Sequence, residues 1–245
     1  MNKLLLIDGH SIMNRAFYGV PDFTNSEGIH TNAIYGFLNI LFKLFDIEKP
    51  DMIAVAFDVH AKTFRHEKYS EYKGTRKPMK EELRQQIPLI KDVLRSMNIS
   101  VFEMAGYEAD DILGTLSLKG ENEGIDVTIV SGDRDLLQLS SKKVKISMPK
   151  TSKGVTTVED YYEGDVLEKY KVTPKQFIDV KALMGDSSDN IKGVAGIGEK
   201  TATNLISTYG SIDGLYEHID ESPIRALTSI NCFGVTLYFS NTSPS

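Results

Sequence analysis

Acidic side chains that could bind a metal ion are concentrated in one short stretch of the chain. Residues 107–111 place three carboxylates, Glu108, Asp110 and Asp111, within four residues. A helix that begins here needs only one capping carboxylate at its N-terminus. Carboxylates crowded in this way raise one another's pKa and stay ionised only beside a strong positive charge. These hard oxygen ligands suit Mg²⁺ or Mn²⁺, although the stretch read alone is more typical of a solvated acidic helix start.

Further carboxylates follow the apolar runs that read as buried strands. Parallel strands present their carboxyl ends at one edge of a sheet, which is where ligands bind in open α/β folds. Taken alone, Asp8 or Asp58 is more readily explained as the cap of a following helix. The set predicts an α/β fold with a mostly parallel central sheet flanked by helices and an acidic ligand edge. The runs are residues 3–7, 52–57, 99–102 and 127–130, and they lead into Asp8, Asp58, the group Glu108 to Asp111, and Asp133 with Asp135.

Two more acids, Asp186 and Asp189, come directly after a helix that is expected to run from Thr173 to Gly185. So many carboxylates predict a site for two divalent ions about 4 Å apart, which would clamp the attacking and leaving oxygens of a phosphoryl group. Because such ions activate water, no Ser, Cys or His nucleophile is required, and the five His residues show no ligand spacing. The nine predicted metal ligands are Asp8, Asp58, Glu108, Asp110, Asp111, Asp133, Asp135, Asp186 and Asp189.

Positive charge is concentrated in residues 60–95, which hold ten Lys or Arg against five Asp or Glu, whereas the whole chain has a net charge of −6. Lys and Arg bind phosphates, and the tyrosines between them could stack on unpaired bases. A charge run is more often a solvated helix face, but such faces usually alternate in sign. The segment therefore predicts a nucleic-acid contact. The helix expected after Pro78 carries one apolar face and should kink at Pro88.

A Gly-rich turn at residues 193–198 precedes a helix that continues through Leu205 and Tyr209. Backbone N–H groups at such a helix start bind phosphate without reading base sequence. The glycine spacing fits neither a P-loop nor a dinucleotide fingerprint. Helices on both sides predict a helix-hairpin-helix that contacts the backbone of duplex nucleic acid. The predicted contacts in it are Gly193, Gly196, Gly198 and Lys200.

The composition is that of a globular chain, with 245 residues, 41% hydrophobic and 25% charged. The single cysteine, Cys232, excludes an intramolecular disulfide and a zinc cluster. No apolar run approaches the ~20 residues of a membrane span, and the N-terminus lacks a signal-peptide pattern. A cytoplasmic protein without a membrane partner is therefore expected.

These motifs resemble the 5′ nuclease family, which includes the 5′-3′ exonuclease domain of bacterial DNA polymerase I, its stand-alone bacterial relatives and, more distantly, the phage and eukaryotic flap endonucleases. The resemblance extends from residue 1 to about residue 221. It is carried by residues 5–9, 15–18, 28–33, 56–58, 63–65, 72–76, 107–111, 131–136 and 183–202.

The resemblance implies a PIN-like 5′ nuclease fold with a helical arch at about residues 60–97. It implies a structure-specific nuclease that cuts 5′ flaps and 5′ ends of branched DNA and removes RNA primers in DNA replication and repair. Two Mg²⁺ or Mn²⁺ ions would be the cofactors, with K⁺ at the hairpin. Lys73 would act in catalysis with Asp8, Asp58, Asp111 and Asp133, and the further contacts to nucleic acid would be Arg15, Arg65, Tyr72 and Arg76. The partners would be 5′-flap DNA, RNA–DNA duplex and a DNA polymerase module, fused or separate, on a monomeric chain.

The resemblance divides the chain into a nuclease domain at residues 1–170, a helix-hairpin-helix region at residues 171–221 and a divergent tail at residues 222–245. The tail contains one charged residue, Arg225. A stand-alone chain, a truncated fragment and a shifted reading frame would each explain it. Two rival hypotheses stay open: a branched-DNA-binding module whose cleavage is impaired by a truncated C-terminus, and a Mg²⁺ phosphatase with a small substrate.

Overall fold

The computed structural model describes residues 2–152 and 155–218, so the predicted tail at residues 222–245 lies outside the described residues. The strands of the main sheet are β1 (Lys3–Asp8), β2 (Met52–Ala56), β3 (Ser100–Phe102), β4 (Asp126–Val130), β5 (Val144–Ser152) and β6 (Val155–Tyr161). The helices that precede β5 are α1 (Gly9–Gly19), α2 (Asn32–Glu48), α3 (Phe64–Lys68), α4 (Glu81–Arg84), α5 (Gln86–Ser96), α6 (Ala109–Asn122) and a 3₁₀ helix (Arg134–Leu139). The elements that follow β6 are α7 (Glu163–Tyr170), α8 (Pro174–Met184), β7 (Gly185–Asp186), β8 (Ile191–Lys192), α9 (Glu199–Tyr209) and α10 (Ile212–Glu217).

The described residues pack as two compact units. The first unit consists of the described residues within 2–61, 78–136 and 142–160. The second consists of residues 62–77, residues 137–141 and the described residues from Tyr161 onward. The basic residues 62–77 therefore pack with the C-terminal helices, although residues 1–170 are predicted from the sequence to form one domain.

The strands of the main sheet are ordered β3-β2-β1-β4-β5-β6, and β1 to β5 pair with their neighbours in parallel. The predicted α/β fold with a mostly parallel sheet is confirmed. Strand β1 lies between β2 and β4. The strand order continues to β3 on the β2 side and to β5 and β6 on the β4 side. The topological switch point, where α/β sheets bind ligands, therefore lies between β1 and β4.

Helices cover both faces of the sheet in the first unit. Leu5 and Ile7 of β1 lie in a buried cluster with α1, α2 and α5, while α6 packs against β1, β2 and β4. Strands buried on both faces are apolar throughout, which explains why these short runs could be recognised in the sequence. Among the described residues, no helix combines the length and apolar character that a membrane span requires.

The helix predicted after Pro78 is interrupted at Gln85, one turn before Pro88. Helix α4 ends at Arg84, and α5 begins at Gln86. A proline ring clashes with the carbonyl group four residues earlier, which here belongs to Arg84, so the break falls one turn before the proline. Helix α5 packs against β3 and α2. This half of the predicted arch region is therefore a packed crossover helix of the first unit.

Helices α8 and α9 pack against each other in the second unit, and the short antiparallel pair β7–β8 lies between them in the chain. The predicted helix-hairpin-helix is confirmed. The backbones of Gly185 and Gly193 approach so closely that a Cβ atom on Gly193 would lie 2.2 Å from the carbonyl carbon of Met184. Packing alone therefore requires glycine at residue 193.

Candidate functional site

Asp8 lies at the end of β1 and caps α1, beside the switch point of the sheet. Its carboxylate accepts hydrogen bonds from the Ser11 N–H (2.9 Å) and from Ser131 Oγ (2.7 Å), which follows β4. Burial raises the pKa of Asp8 to about 6; these hydrogen bonds act against the rise, and the charges of Asp58 and Asp133 add to it. The capping role that the sequence allowed for Asp8 is real, and the same side chain joins the ends of β1 and β4.

Asp58 follows β2 and is held from two sides. Its Oδ1 accepts a hydrogen bond from the backbone N–H of Ala109 (2.7 Å). Its own backbone N–H donates to His10 Nδ1 (3.1 Å), which places the ring proton of His10 on Nε2. Burial lowers the pKa of His10, although the charge of Asp58 acts in the opposite direction. A neutral imidazole therefore fixes the backbone at Asp58.

The acids of the stretch at residues 107–111 divide between a capping role and a buried cluster. Asp111, at the third position of α6, accepts a hydrogen bond from the Glu108 N–H (2.9 Å) and so closes the start of the helix. Burial raises the pKa of Asp110 well above its ordinary value, and the charges of Asp8, Asp133, Asp58 and Glu108 raise it further. Glu108 is itself buried, at 8% exposure.

Asp133 and Asp135 lie where β4 leads into the 3₁₀ helix. The Asp133 N–H donates to Ser131 Oγ (3.0 Å), and Asp133 Oδ1 accepts from the Asp135 N–H (2.9 Å). The Gly132 N–H donates to Ser11 Oγ (2.8 Å), which ties this turn to the first turn of α1. Asp133 is thereby fixed beside Asp8 and, unlike it, is exposed.

The first unit thus brings Asp8, Asp58, Glu108, Asp110 and Asp133 into one electrostatic neighbourhood at the carboxyl edge of the sheet. An all-carboxylate donor set has the chemistry that Mg²⁺ and Mn²⁺ prefer. In residues 2–152 and 155–218, no three Asp, Glu, His or Cys side chains already surround one point as ligands of a metal ion. Binding of an ion would therefore require these carboxylates to reorient, and the positive charge of the ion would offset their mutual repulsion.

Arg15 lies on α1, one turn after Ser11, and its terminal nitrogen borders Gly132. Burial lowers the pKa of Arg15. Its Nε is buried and, among the described residues, finds no hydrogen-bond partner. The guanidinium group of this predicted DNA contact therefore adjoins the turn that carries Asp133.

Asp186 and Asp189 belong to the second unit, where each pairs with a cation. Lys181 Nζ donates to Asp186 Oδ2 (2.8 Å), and Arg76 pairs with Asp189 Oδ1 (2.5 Å). Burial acts to raise the pKa of Asp186, but the hydrogen bonds from Lys181 and Ser188 outweigh it, so the pKa lies below its ordinary value. The prediction that these two acids belong to the metal-ligand set stays a prediction.

The predicted DNA contacts of residues 62–77 differ in their exposure. Arg65 is buried and stacks its guanidinium on Phe64, at 4.6 Å from the ring centroid. Tyr72 is only 4% exposed, so its ring does not offer a stacking surface in this conformation. Lys73 is partly buried, and its Nζ lies 5.0 Å from the ring centroid of Tyr72. Arg76 is half-exposed beside Asp189.

The turn of the helix-hairpin-helix is exposed around one buried anchor, Ile197. The Val194 N–H donates to the Leu183 carbonyl (2.8 Å), which fixes the turn to α8. Gly196 has a φ of +81°, and Gly198 and Lys200 are exposed at the start of α9. These three residues stay predicted contacts to a phosphate backbone.

Sequence reasoning does not identify the side chains that hold the acids in place, namely His10, Ser11, Ser131 and Lys181. Ser131 is the residue directly after β4, as Asp8 is the last residue of β1, so its place at a strand end was a usable signal. Lys181 lies in the last turn of α8, where a cation favours the helix dipole. The role of His10 depends on a tertiary contact, and the sequence carries no signal for it.

The chain is similar in sequence to bacterial DNA polymerases I. The chain is 49% identical over 219 residues to DNA polymerase I of Bacillus caldotenax and, over the same length, to DNA polymerase I of Bacillus subtilis (strain 168). Each match covers 89% of this chain and 25% of the relative, so the chain spans about a quarter of the length of these relatives.

Solved structures with the same fold include the D15 flap endonuclease of bacteriophage T5 in complex with DNA and metal ions, which is 26% identical with a TM-score of 0.74 over 97% of this chain and 86% of that one. The catalytic core of Rad2 with DNA substrate, at 18% identity and a TM-score of 0.57, covers 97% of this chain and 71% of that one and supports the fold alone. Residues 3–171 match the family described as "5'-3' exonuclease, N-terminal resolvase-like domain", and residues 172–231 match "5'-3' exonuclease, C-terminal SAM fold". The chain therefore belongs to the 5′-3′ exonuclease family.

Proposed function

We propose that the chain is a structure-specific 5′ nuclease, a phosphodiester hydrolase with 5′-3′ exonuclease and 5′-flap endonuclease activity that depends on two Mg²⁺ or Mn²⁺ ions. The observation that carries the proposal is the carboxylate neighbourhood at the switch point, where burial and like charge raise the pKa of Asp8 and Asp110. Family membership and the metal-bound and DNA-bound state of the T5 flap endonuclease support it.

The ions would be held by Asp8, Asp58, Glu108, Asp110 and Asp133, and Asp111 and Asp135 are the further candidates of the same unit. When bound, divalent ions activate water and neutralise charge on the phosphodiester group. The chain itself orients the acids: Ser11 and Ser131 fix Asp8, and the Ala109 N–H fixes Asp58. Orientation by hydrogen bonds limits how far each carboxylate must turn when an ion binds.

The DNA would be bound through its phosphates by Arg15, Lys73 and Arg76, and through duplex backbone by Gly196, Gly198 and Lys200. K⁺ at the hairpin is part of the proposal. Because the curated relatives are DNA polymerases I, we propose RNA primer removal in replication and repair as the biological role. A DNA polymerase module, fused or separate, would be the partner of a monomeric chain.

A labelled 5′-flap duplex tests the proposal directly. The chain should cleave it near the branch in Mg²⁺, and EDTA should abolish cleavage. Asp133→Asn should remove activity, whereas Asp126→Asn, a matched change at the opposite end of β4, should not. Binding without cleavage in Mg²⁺ would favour the DNA-binding module with impaired cleavage. Cleavage that survives both EDTA and Asp133→Asn would contradict the metal mechanism.

A further inference from the structure

The loop at residues 186–190 holds the basic segment through a set of contacts that we call the clasp, formed by Tyr72, Arg76 and Asp189. Tyr72 donates its buried hydroxyl to Asp189 Oδ2 (2.9 Å), and Arg76 binds Asp189 Oδ1 (2.5 Å). Both oxygens of one carboxylate are thus used to hold residues more than 100 positions earlier in the chain. Hydrogen bonds to a charged acceptor are stronger than neutral ones.

Hydrogen bonds from side chains to backbone carbonyls also hold residues 69–76 against residues 188–190. Arg76 Nε donates to the Ser188 carbonyl (3.1 Å), and Asn190 Nδ2 donates to the Glu71 carbonyl (2.9 Å). Tyr69 donates its hydroxyl to the Asn190 carbonyl (3.2 Å). Tyr72 also packs on Ile191 in a small apolar cluster. The segment is therefore bound along its whole length from residue 69 to residue 76.

Asp186 builds the loop that presents Asp189. Its Oδ1 accepts from the Ser188 N–H (2.7 Å), from Ser188 Oγ (2.6 Å) and from the Asp189 N–H (3.2 Å), while its Oδ2 binds Lys181. Lys181 lies on α8, so the loop is fixed to a helix of the second unit. A chain of contacts runs from Lys181 through Asp186 and Asp189 to the basic segment.

These contacts hold the backbone of Lys73 in an unusual conformation. Its backbone is left-handed, with a φ of +56°, a conformation that costs free energy for a residue other than glycine and persists only where the surroundings impose it. The Lys73 N–H donates to the Asp189 carbonyl (2.9 Å), and its carbonyl accepts from the Arg76 N–H (3.0 Å). The bonds made by Asp189 therefore fix the turn from which the Lys73 side chain projects.

We infer that Asp189 is a positioning residue, which acts through the clasp to hold Lys73 and Arg76 in the geometry needed for a substrate phosphate. This inference rests on the proposed nuclease function, and it gives Asp189 a role that does not require metal ligation. It also gives Tyr72 a role other than base stacking, because the Tyr72 ring is buried and its hydroxyl supports Asp189.

Tyr72→Phe tests the clasp without removing any carboxylate. Hydrogen exchange of the peptide that covers residues 69–77, measured without DNA or metal, should become about tenfold faster, the effect of losing one hydrogen bond to a charged acceptor. Arg76→Gln should have a similar effect. Tyr35→Phe is the matched control, because it removes a tyrosine hydroxyl from an exposed site in the first unit and should leave this exchange unchanged. Unchanged exchange in both clasp variants would overturn the inference.

The second readout separates positioning from a merely structural role. Tyr72→Phe should slow single turnover at saturating flap DNA about fivefold, because the clasp positions Lys73, while Mn²⁺ binding, measured by calorimetry, stays at the wild-type value. On an Asp189→Ala background, Tyr72→Phe should add nothing, because its acceptor is already gone. A full additional effect there would contradict the clasp. If the wild type neither binds nor cleaves flap DNA, the proposed function fails, whereas the exchange experiment still decides whether the clasp exists.

Discussion

The two units of the chain both concentrate carboxylates, but they place them in opposite electrostatic surroundings. In the first unit, burial and neighbouring carboxylates raise the pKa of Asp8 and Asp110. In the second unit, Lys181 and Ser188 hold the pKa of Asp186 below its ordinary value against the effect of burial, and Arg76 neutralises Asp189. The second group carries its own cations. In the first group, the main influences on the pKa of Asp8 and Asp110 include no cation, and divalent ions would supply that positive charge.

This difference shows why acidic residues cannot be assigned a common role from their number alone. An acid paired with a lysine or arginine completes its interactions within the chain, and its removal should mainly cost stability or positioning. An acid that lies among other acids is repelled by their negative charges. Neutralising it should therefore stabilise the metal-free chain and abolish metal binding. The predictions below test this contrast.

Removal of a carboxylate from the first unit should have the largest effect. Asp8→Asn keeps one acceptor oxygen for the Ser11 N–H, places an amide NH₂ opposite Ser131 Oγ and loses the charge. It should lower the single-turnover rate on flap DNA about 10²–10³-fold, as loss of electrostatic stabilisation does elsewhere. Asp189→Asn should lower this rate less and raise KM more. Equal losses of rate in the two variants would remove the contrast between the units.

Removal of a cation from the second unit should cost stability. Lys181→Met leaves Asp186, which is 9% exposed, without its partner and should lower the free energy of unfolding in urea by about 3–4 kcal/mol. Lys175→Met, a matched change at an exposed position of α8, should stay within about 0.5 kcal/mol of wild type. A comparable small loss for both variants would mean that the Lys181 pair does not stabilise the loop.

The metal-free protein should lose stability as pH rises through the titration of Asp8. Because the pKa of Asp8 is raised from 3.8 to about 6, the folded state binds more protons than the unfolded state between these values. The favourable contribution is complete below pH 3.8 and is lost by about pH 6, and a shift of about two units corresponds to about 3 kcal/mol. Urea unfolding in EDTA from pH 4 to pH 7 would measure it. Asp8→Asn should flatten this dependence; an identical slope in the variant would contradict the assignment.

Lys73→Ala should have the smallest effect of the series. Lys73 is proposed to stabilise charge on the scissile phosphate, so its loss should slow the chemical step by about tenfold or more and change KM less than about threefold. Lys77→Ala, in the same segment, is the control and should leave the chemical step nearly unchanged. Single-turnover kinetics at saturating flap DNA measures the chemical step separately from KM. Wild-type turnover at saturation would argue against a catalytic role for Lys73.

The sequence predicts the fold where strands are buried on both faces. Strands β1, β2 and β4 are continuous apolar runs and could be recognised, but β5 alternates buried Val144 and Ile146 with the polar Lys145. Lys145 is stable there because Glu48 and Asp160 pair with it, at 2.8 Å and 3.1 Å, which a local pattern cannot show. Helix α1 is hidden for a similar reason, since Gly9 and Ser11 resemble a loop until Asp8 is known to cap it.

The convergence of the first-unit acids could be predicted, because it follows from parallel strands and a switch point. The partners of Asp186 and Asp189 could not, since Tyr72 and Arg76 lie more than 100 residues earlier in the chain. The resemblance to 5′ nucleases identifies all nine acids but gives them one role. Only the tertiary contacts distinguish acids paired with cations from acids paired with other acids.

Anomalous diffraction from crystals grown with Mn²⁺ tests the central claim most directly. The account predicts manganese peaks at the carboxyl edge of the main sheet, within ligand distance of Asp8 and of at least two of Asp58, Asp110 and Asp133, and their loss in Asp8→Asn crystals. Crystals saturated with Mn²⁺ that show no peak at these carboxylates, or the same peaks in Asp8→Asn, would contradict it.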